Sequence, residues 1–181
     1  MKLFKTLLAA VALFGAGTGA ALAQSTDTAT FNVTITIAES CDIHTDAPTD
    51  IDFGLVTRSG TPTSIEPTGV LTVNCSLGTP YQIGLDGGSH YDDASAGGDT
   101  DVPAAGGRRM NLDTNYVPYD LFQQIGGASF WGNTVGSDTP TGTPGTGSDQ
   151  TYTVYARLRG TDATNVPAGT YADTVTATVT F

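Results

Sequence analysis

Strict alternation of apolar and polar residues near both ends of this chain restricts what it can fold into. In residues 29–37 the odd positions Ala29, Phe31, Val33, Ile35 and Ile37 are apolar, and Thr30, Asn32, Thr34 and Thr36 between them are polar. Residues 174–181 repeat the design, with Val175, Ala177, Val179 and Phe181 alternating with Thr174, Thr176, Thr178 and Thr180. A period of two is the signature of a strand with one buried face. Such a strand needs neighbours along its edges. Because no residue follows Phe181 in the sequence, the open edge there is expected to take its partner from elsewhere in the chain or from another molecule.

The first residues read as an export signal. Lys2 and Lys5 form a basic start, residues 7–14 an apolar run, and Ala21-Leu22-Ala23 a small-residue cleavage site. Residues 1–23 are therefore assigned as a signal peptide, and the mature chain is expected to begin at Gln24. That leaves 158 of the 181 residues, enough for one domain that buries roughly two-thirds of its unfolded surface. The apolar run is shorter than the ~20 residues a membrane span requires, and no later stretch is continuously apolar, so no membrane insertion is expected.

Charge narrows the partners. Both lysines lie in the signal, so five arginines oppose eighteen acidic residues in the mature chain, a formal charge of −13. That balance disfavours nucleic acid and anionic lipid. Without a lysine amine the mature chain also cannot form a Lys-Asn isopeptide bond, which disfavours sortase-linked pili. A cleaved signal with no long apolar helix after it disfavours type IV pilins. Cys41 and Cys75 are the only cysteines, and an even pair in an exported chain is expected to oxidise. Closing a loop of that length stabilises a fold by roughly 3 to 4 kcal/mol in the chain-entropy treatment.

Further runs at 41–45, 51–56, 70–75, 81–85, 110–113, 119–123 and 152–159 look like strands, nearly all separated by turn residues. The runs at 70–75 and 81–85 flank Gly78-Thr79-Pro80 and read as a hairpin. No amphipathic helix of useful length stands out. Many short strands, with 23 glycines and 9 prolines, predict an all-β sandwich. Residues 87–107 and 132–149 are too polar and glycine-rich to bury, and read as long surface loops.

The chemistry-bearing residues favour structural readings. Asp92, Asp93, Asp99 and Asp101 crowd one loop but lack the spacing and closing glutamate of a calcium loop. His44 and His90 stand in no nucleophile setting, and no G-x-S-x-G turn exists. Two histidines and two distant cysteines give no zinc spacing. No catalytic residue, metal site or cofactor is expected. Arg108-Arg109 read as neutralising nearby carboxylates. Tyr116, Tyr119, Phe122, Phe130 and Trp131 could form a sugar platform, yet the alternation in Tyr119-Asp120-Leu121 points Tyr119 and Leu121 into a sandwich interior.

Taken in order, Cys41, Asp52-Phe53-Gly54, Val73-Asn74-Cys75-Ser76, Tyr81, Gly87-Gly88, Arg108-Arg109-Met110, Pro118-Tyr119-Asp120-Leu121, Trp131-Gly132, Val154-Tyr155 and Gly169-Thr170-Tyr171-Ala172-Asp173 resemble the spore coat protein U domain family. That family includes subunits of archaic chaperone-usher, Csu-like pili of Gram-negative bacteria and a coat protein of bacterial spores. The resemblance implies an incomplete immunoglobulin-like β-sandwich that lacks its last strand and is completed by donor-strand exchange. It implies a periplasmic pilus chaperone, an outer-membrane usher and copies of the chain or related pilins as partners, in a head-to-tail polymer. Export would run through the periplasm to a pilus at the cell surface. Residues 24–38 would be the donor segment, with Ala29, Phe31, Val33, Ile35 and Ile37 as its inserting row, and 39–181 the pilin domain. Val175, Ala177, Val179 and Phe181 would form the edge bound by chaperone or donor. Alternatively, residues 29–37 begin their own sandwich and a shorter donor lies at 24–28, although Gln-Ser-Thr-Asp-Thr is too polar for an apolar groove. The expected function is a non-enzymatic pilus subunit serving cell adhesion and biofilm formation. The alternatives are a secreted spore-coat protein and a surface carbohydrate-binding or tip adhesin module.

Overall fold

The computed structural model describes residues 25–43, 47–57, 65–92, 107–140, 142, 144–158 and 163–181. The expected signal at 1–23, His44, Asp93, Asp99 and Asp101 lie outside these residues. The chain falls into two units, one ending at Thr36 and the other spanning Ile37–Phe181.

In the second unit the described β-branched and aromatic runs form β1 (Cys41–Asp42), β2 (Thr68–Cys75), β3 (Gln82–Leu85), β4 (Arg109–Leu112), β5 (Asn115–Phe122), β6 (Asp149–Leu158) and β7 (Ala177–Thr180). A 3₁₀ turn at Ile125–Gly127 follows β5. One antiparallel sheet has the order β1-β2-β6-β5-β4, and β3 and β7 pair antiparallel in a second. Alternation places Leu71 and Val73 of β2, Tyr119 and Leu121 of β5, and Val154 and Ala156 of β6 in one core cluster with Ile83 and Leu85 of β3. Trp131 straps the two sheets together. Its backbone N–H donates to the Leu121 carbonyl at 2.9 Å and its indole N–H to the Ile83 carbonyl at 2.9 Å. The adjacent Gly132 carbonyl accepts from the Leu85 N–H at 2.8 Å.

Cys41 and Cys75 stand opposite each other in the β1–β2 register and are disulfide-bonded, as the sequence led us to expect. The bond pins a two-residue strand that has little ladder of its own. Just before it, the Ser40 carbonyl accepts from the Ser76 N–H at 2.9 Å.

Two sequence expectations are corrected. Runs 70–75 and 81–85 do not form a hairpin, because β2 is already flanked by β1 and β6 while β3 pairs with β7. The intervening loop is held elsewhere: the Gly78 N–H donates to the Gly145 carbonyl at 2.7 Å, and the Gly145 N–H to the Thr79 carbonyl at 2.8 Å. Residues 51–56, expected as a strand, form none, although Ile51 and Phe53 pack against the core. Their segment approaches β2 through Thr49, whose N–H donates to the Val70 carbonyl at 3.1 Å. Gly69 makes that approach possible, since a Cβ there would lie 2.8 Å from Ile51 Cγ1 and 2.9 Å from the Thr49 carbonyl oxygen.

Candidate assembly interface

The first feature is an arm. Residues 25–40 carry no helix or strand and are exposed throughout. Phe31, Val33, Ile35 and Ile37 are 81–85% exposed. Four large apolar side chains left in water at alternate positions forgo burial worth roughly 1.5 to 3 kcal/mol each. Singly, such exposure would be ordinary. Here it falls on one face of a period-two run, which is the pattern of a strand without its sheet.

The second feature is an open side of the sandwich. From Tyr171 to Val179 the odd positions are half-buried and the even ones exposed. Val175, Ala177 and Val179 pack against the core without being enclosed by it, and Phe181 is 57% exposed. Among the described residues, β7 has β3 as its one neighbouring strand. Nearby in the fold is a cavity of about 740 Å³, lined by Ile51, Phe53, Met110, Val117, Leu158 and Tyr171 among others. Core side chains form its floor: Val117 and Leu158 are buried, and the Phe53 ring stands 6.1 Å from that of Tyr119.

Polar groups fasten the approach to β7. The Asp173 side chain is 2% exposed. Its Oδ2 accepts the Tyr119 hydroxyl at 2.6 Å, and its Oδ1 lies 3.0 Å from His90 Nδ1. Burial, and then the adjacent Asp173 charge, raise the Tyr119 pKa well above that of free tyrosine. Asp86 caps the same region, its Oδ1 accepting the N–H groups of Gly88 and Thr176, each at 2.9 Å. Arg109 meets the expectation of a carboxylate partner, with Nη1 2.9 Å from Asp92 Oδ2 and its guanidinium 4.1 Å from the Tyr116 ring centroid. Arg108 differs. Fully buried, it donates through Nε to the Asp86 carbonyl and through Nη2 to the Leu85 carbonyl, each at 2.8 Å. Burial lowers its pKa, partly offset by Tyr119 and by nearby acids led by Asp86.

The aromatic residues form no sugar platform: Tyr119, Phe122 and Trp131 are buried, and Phe122 and Phe130 stack edge to face at 6.5 Å. Among the described residues no cluster of His, Cys, Asp or Glu could hold a metal, and no helix is long and apolar enough to cross a membrane. In the sequence Asp173 stands out only as the end of the landmark at 169–173, and nothing local marks His90 as its partner. Extending the C-terminal alternation back by one step from Val175 would have placed an acid in the inward row.

A profile of the Spore Coat Protein U domain matches residues 27–178. Protein U of Myxococcus xanthus is 35% identical over 190 residues, covering 100% of each chain. A solved chaperone–tip adhesion subunit pre-assembly complex, from the archaic chaperone-usher Csu pili of Acinetobacter baumannii, aligns with a TM-score of 0.52 and 25% identity over 81% of this chain. The chain spans 40% of the length of that solved chain. A chaperone-usher pilus structure aligns with a TM-score of 0.44 and 18% identity, over 87% of this chain and 96% of its own. The fold is an incomplete immunoglobulin-like β-sandwich.

Proposed function

The chain belongs to the spore coat protein U domain family, and we propose that it is a structural subunit of a chaperone-usher pilus, polymerising by donor-strand complementation and serving cell adhesion and biofilm formation. The arm carries this reading, with four large apolar side chains 81–85% exposed at every second position. Residues 24–38 act as the donor segment and 39–181 as the pilin domain. Ala29, Phe31, Val33, Ile35 and Ile37 insert beside Val175, Ala177, Val179 and Phe181 of the next copy. The joint is β-strand addition, in which ladder hydrogen bonds give affinity and alternate side chains give register. Because donor and acceptor are different surfaces of one chain, the contact is heterologous and grows a filament instead of closing a dimer. A periplasmic chaperone would cover the open edge before an outer-membrane usher passes the subunit on.

Deleting residues 24–37 and co-expressing the chaperone tests this. The truncated subunit is expected to be recovered bound to chaperone and to build no fibre, as judged by electron microscopy. Fibres of normal length from the truncated chain would refute the donor assignment.

A second reading, a secreted spore-coat protein, is favoured by the full-length match at 35% identity to Protein U. The same strand exchange would then build a coat layer. Genes for a chaperone and an usher beside this one favour the pilus, and a label confined to the spore surface favours the coat.

A further inference from the structure

The acceptor strand of the proposed joint has a register problem that alternation cannot solve. Shifting a strand by one residue turns its apolar row outward and is strongly opposed, whereas a shift by two returns every side chain to the same face. In Thr174-Val175-Thr176-Ala177-Thr178-Val179-Thr180 a two-residue shift exchanges threonine for threonine outside and valine for alanine inside, and Phe181 at the far end of the row, 57% exposed, weighs little in the choice. The observed register, with Gln82 opposite Thr180 and Leu85 opposite Ala177, therefore needs a mark that the repeat lacks.

We propose that Asp173, held by Tyr119 and His90, is the register lock of β7 and hence a positioning residue for strand exchange. Asp173 is the carboxylate in the inward row of half-buried odd positions running from Tyr171 to Val179. Its two oxygens are taken by groups on two different elements, the Tyr119 hydroxyl of β5 at 2.6 Å and His90 Nδ1 of the segment after β3 at 3.0 Å. The seat is shaped for it: Gly88, at φ +82°, leaves room that a Cβ would fill against the carboxylate. A slip that brings Thr178 opposite Gln82 would move Asp173 into the place of Val175, against the apolar core. It would also leave the Tyr119 hydroxyl without its acceptor. Burying a charge without partners is far costlier than exchanging valine for alanine. The other bonds in the region do not discriminate in this way. Asp86 Oδ1 accepts a backbone N–H from Thr176, and the Ser89 N–H donates to the Thr174 carbonyl; any residue in those places offers the same groups. Locking β7 also fixes where Val175, Ala177 and Val179 present their gaps, so the lock sets the frame an incoming strand must match. This last step rests on the strand-exchange reading above.

Cysteine pairs report register on the full exported chain. With Gln82→Cys, a second cysteine at Thr180 marks the observed register and one at Thr178 the slipped register. In the parent, only the 82–180 pair is expected to cross-link. Asp173→Val makes the row uniformly apolar and should yield both cross-links in comparable amounts, together with at least tenfold fewer fibres. Asp173→Asn, which keeps the shape and can still accept from Tyr119, should restore the single cross-link. If Asp173→Val does not accumulate, the double variant Tyr119→Phe/His90→Ala carries the test with the same expected pair of cross-links. A variant that cross-links only at 82–180 overturns the lock. Loss of register in the variant, with no fibres even from the parent, upholds the lock and sinks the pilus reading instead.

Discussion

At the scale of single residues, Tyr119 joins the core to the polar clasp, and its titration should be visible in stability. Its folded pKa is raised by burial first and by Asp173 next. That of Tyr81 is raised by burial and then by its hydrogen bond to Tyr152. A group whose folded pKa lies above its unfolded value contributes stability that is fully present below the unfolded value, here 10.0. That contribution is lost as pH rises from there toward the folded value, because the unfolded chain releases its proton first. The readout is unusually clean. Beyond residue 23 the chain has no lysine and its cysteines are bonded, so tyrosines are the side chains that titrate between about pH 9 and 12. We expect the urea midpoint to be level from pH 7 to 9 and to fall above pH 10. Tyr119→Phe should flatten part of that fall while costing about 1 to 3 kcal/mol at pH 7, where Asp173 loses its donor. An alkaline fall of unchanged steepness in the variant would show that Tyr119 ionises as easily in the fold as out of it. The inward acid at 173 was legible from the alternation alone. Its donor, 54 residues earlier in the chain, was not, because a side-chain contact between distant strands leaves no local pattern.

At the scale of elements, period and pairing part company. The runs that became β2, β4, β5 and β6 were legible because side-chain alternation and β-branched content are local properties. Which strands would be neighbours was not. Proximity in sequence suggested that β2 pairs with the run after Gly78-Thr79-Pro80, yet that loop crosses from one sheet to the other and bonds to Gly145 on the way. Residues 51–56 show the opposite failure: Ile51 and Phe53 pack on the core, but Leu55 is 90% exposed and no ladder forms, since a strand is defined by a neighbour as much as by its own side chains. The same distinction gives a prediction for the arm. Ile35 and Thr34 are adjacent and both exposed, so a charge at either should leave subunit stability within about 0.5 kcal/mol of the parent. If the odd row is the face that inserts, the two differ. Ile35→Asp would force a carboxylate into an apolar groove and should abolish fibres, whereas Thr34→Asp would keep its charge in solvent and should assemble nearly normally. Counting fibres from both variants at equal subunit concentration decides it, and equal assembly would mean that the odd row is not what inserts.

At the scale of the whole molecule, the two interface features belong to one chain, yet each can be supplied separately. If the arm's odd row completes a neighbour's sandwich, a free peptide of residues 24–38 should do the same for a subunit lacking residues 24–37. A ligand that binds only the folded state stabilises it by RT ln(1 + [L]/Kd), about 2.7 kcal/mol at a hundredfold excess over Kd. For a domain of this size that corresponds to a rise in Tm of roughly 5 to 10 °C. The rise should grow with the logarithm of peptide concentration, since mass action and not a change in the domain produces it. A peptide carrying Ile35→Asp should give no rise, and one carrying Thr34→Asp should resemble the parent, which ties the effect to the face and not to overall hydrophobicity. In full-length subunit the same peptide should cap growing ends and shorten fibres in proportion to its share of the available donor strands. A Tm that stays flat up to millimolar peptide, with fibre length unchanged, would show that the exposed row is not the missing strand and that the arm's apolar face serves a different partner.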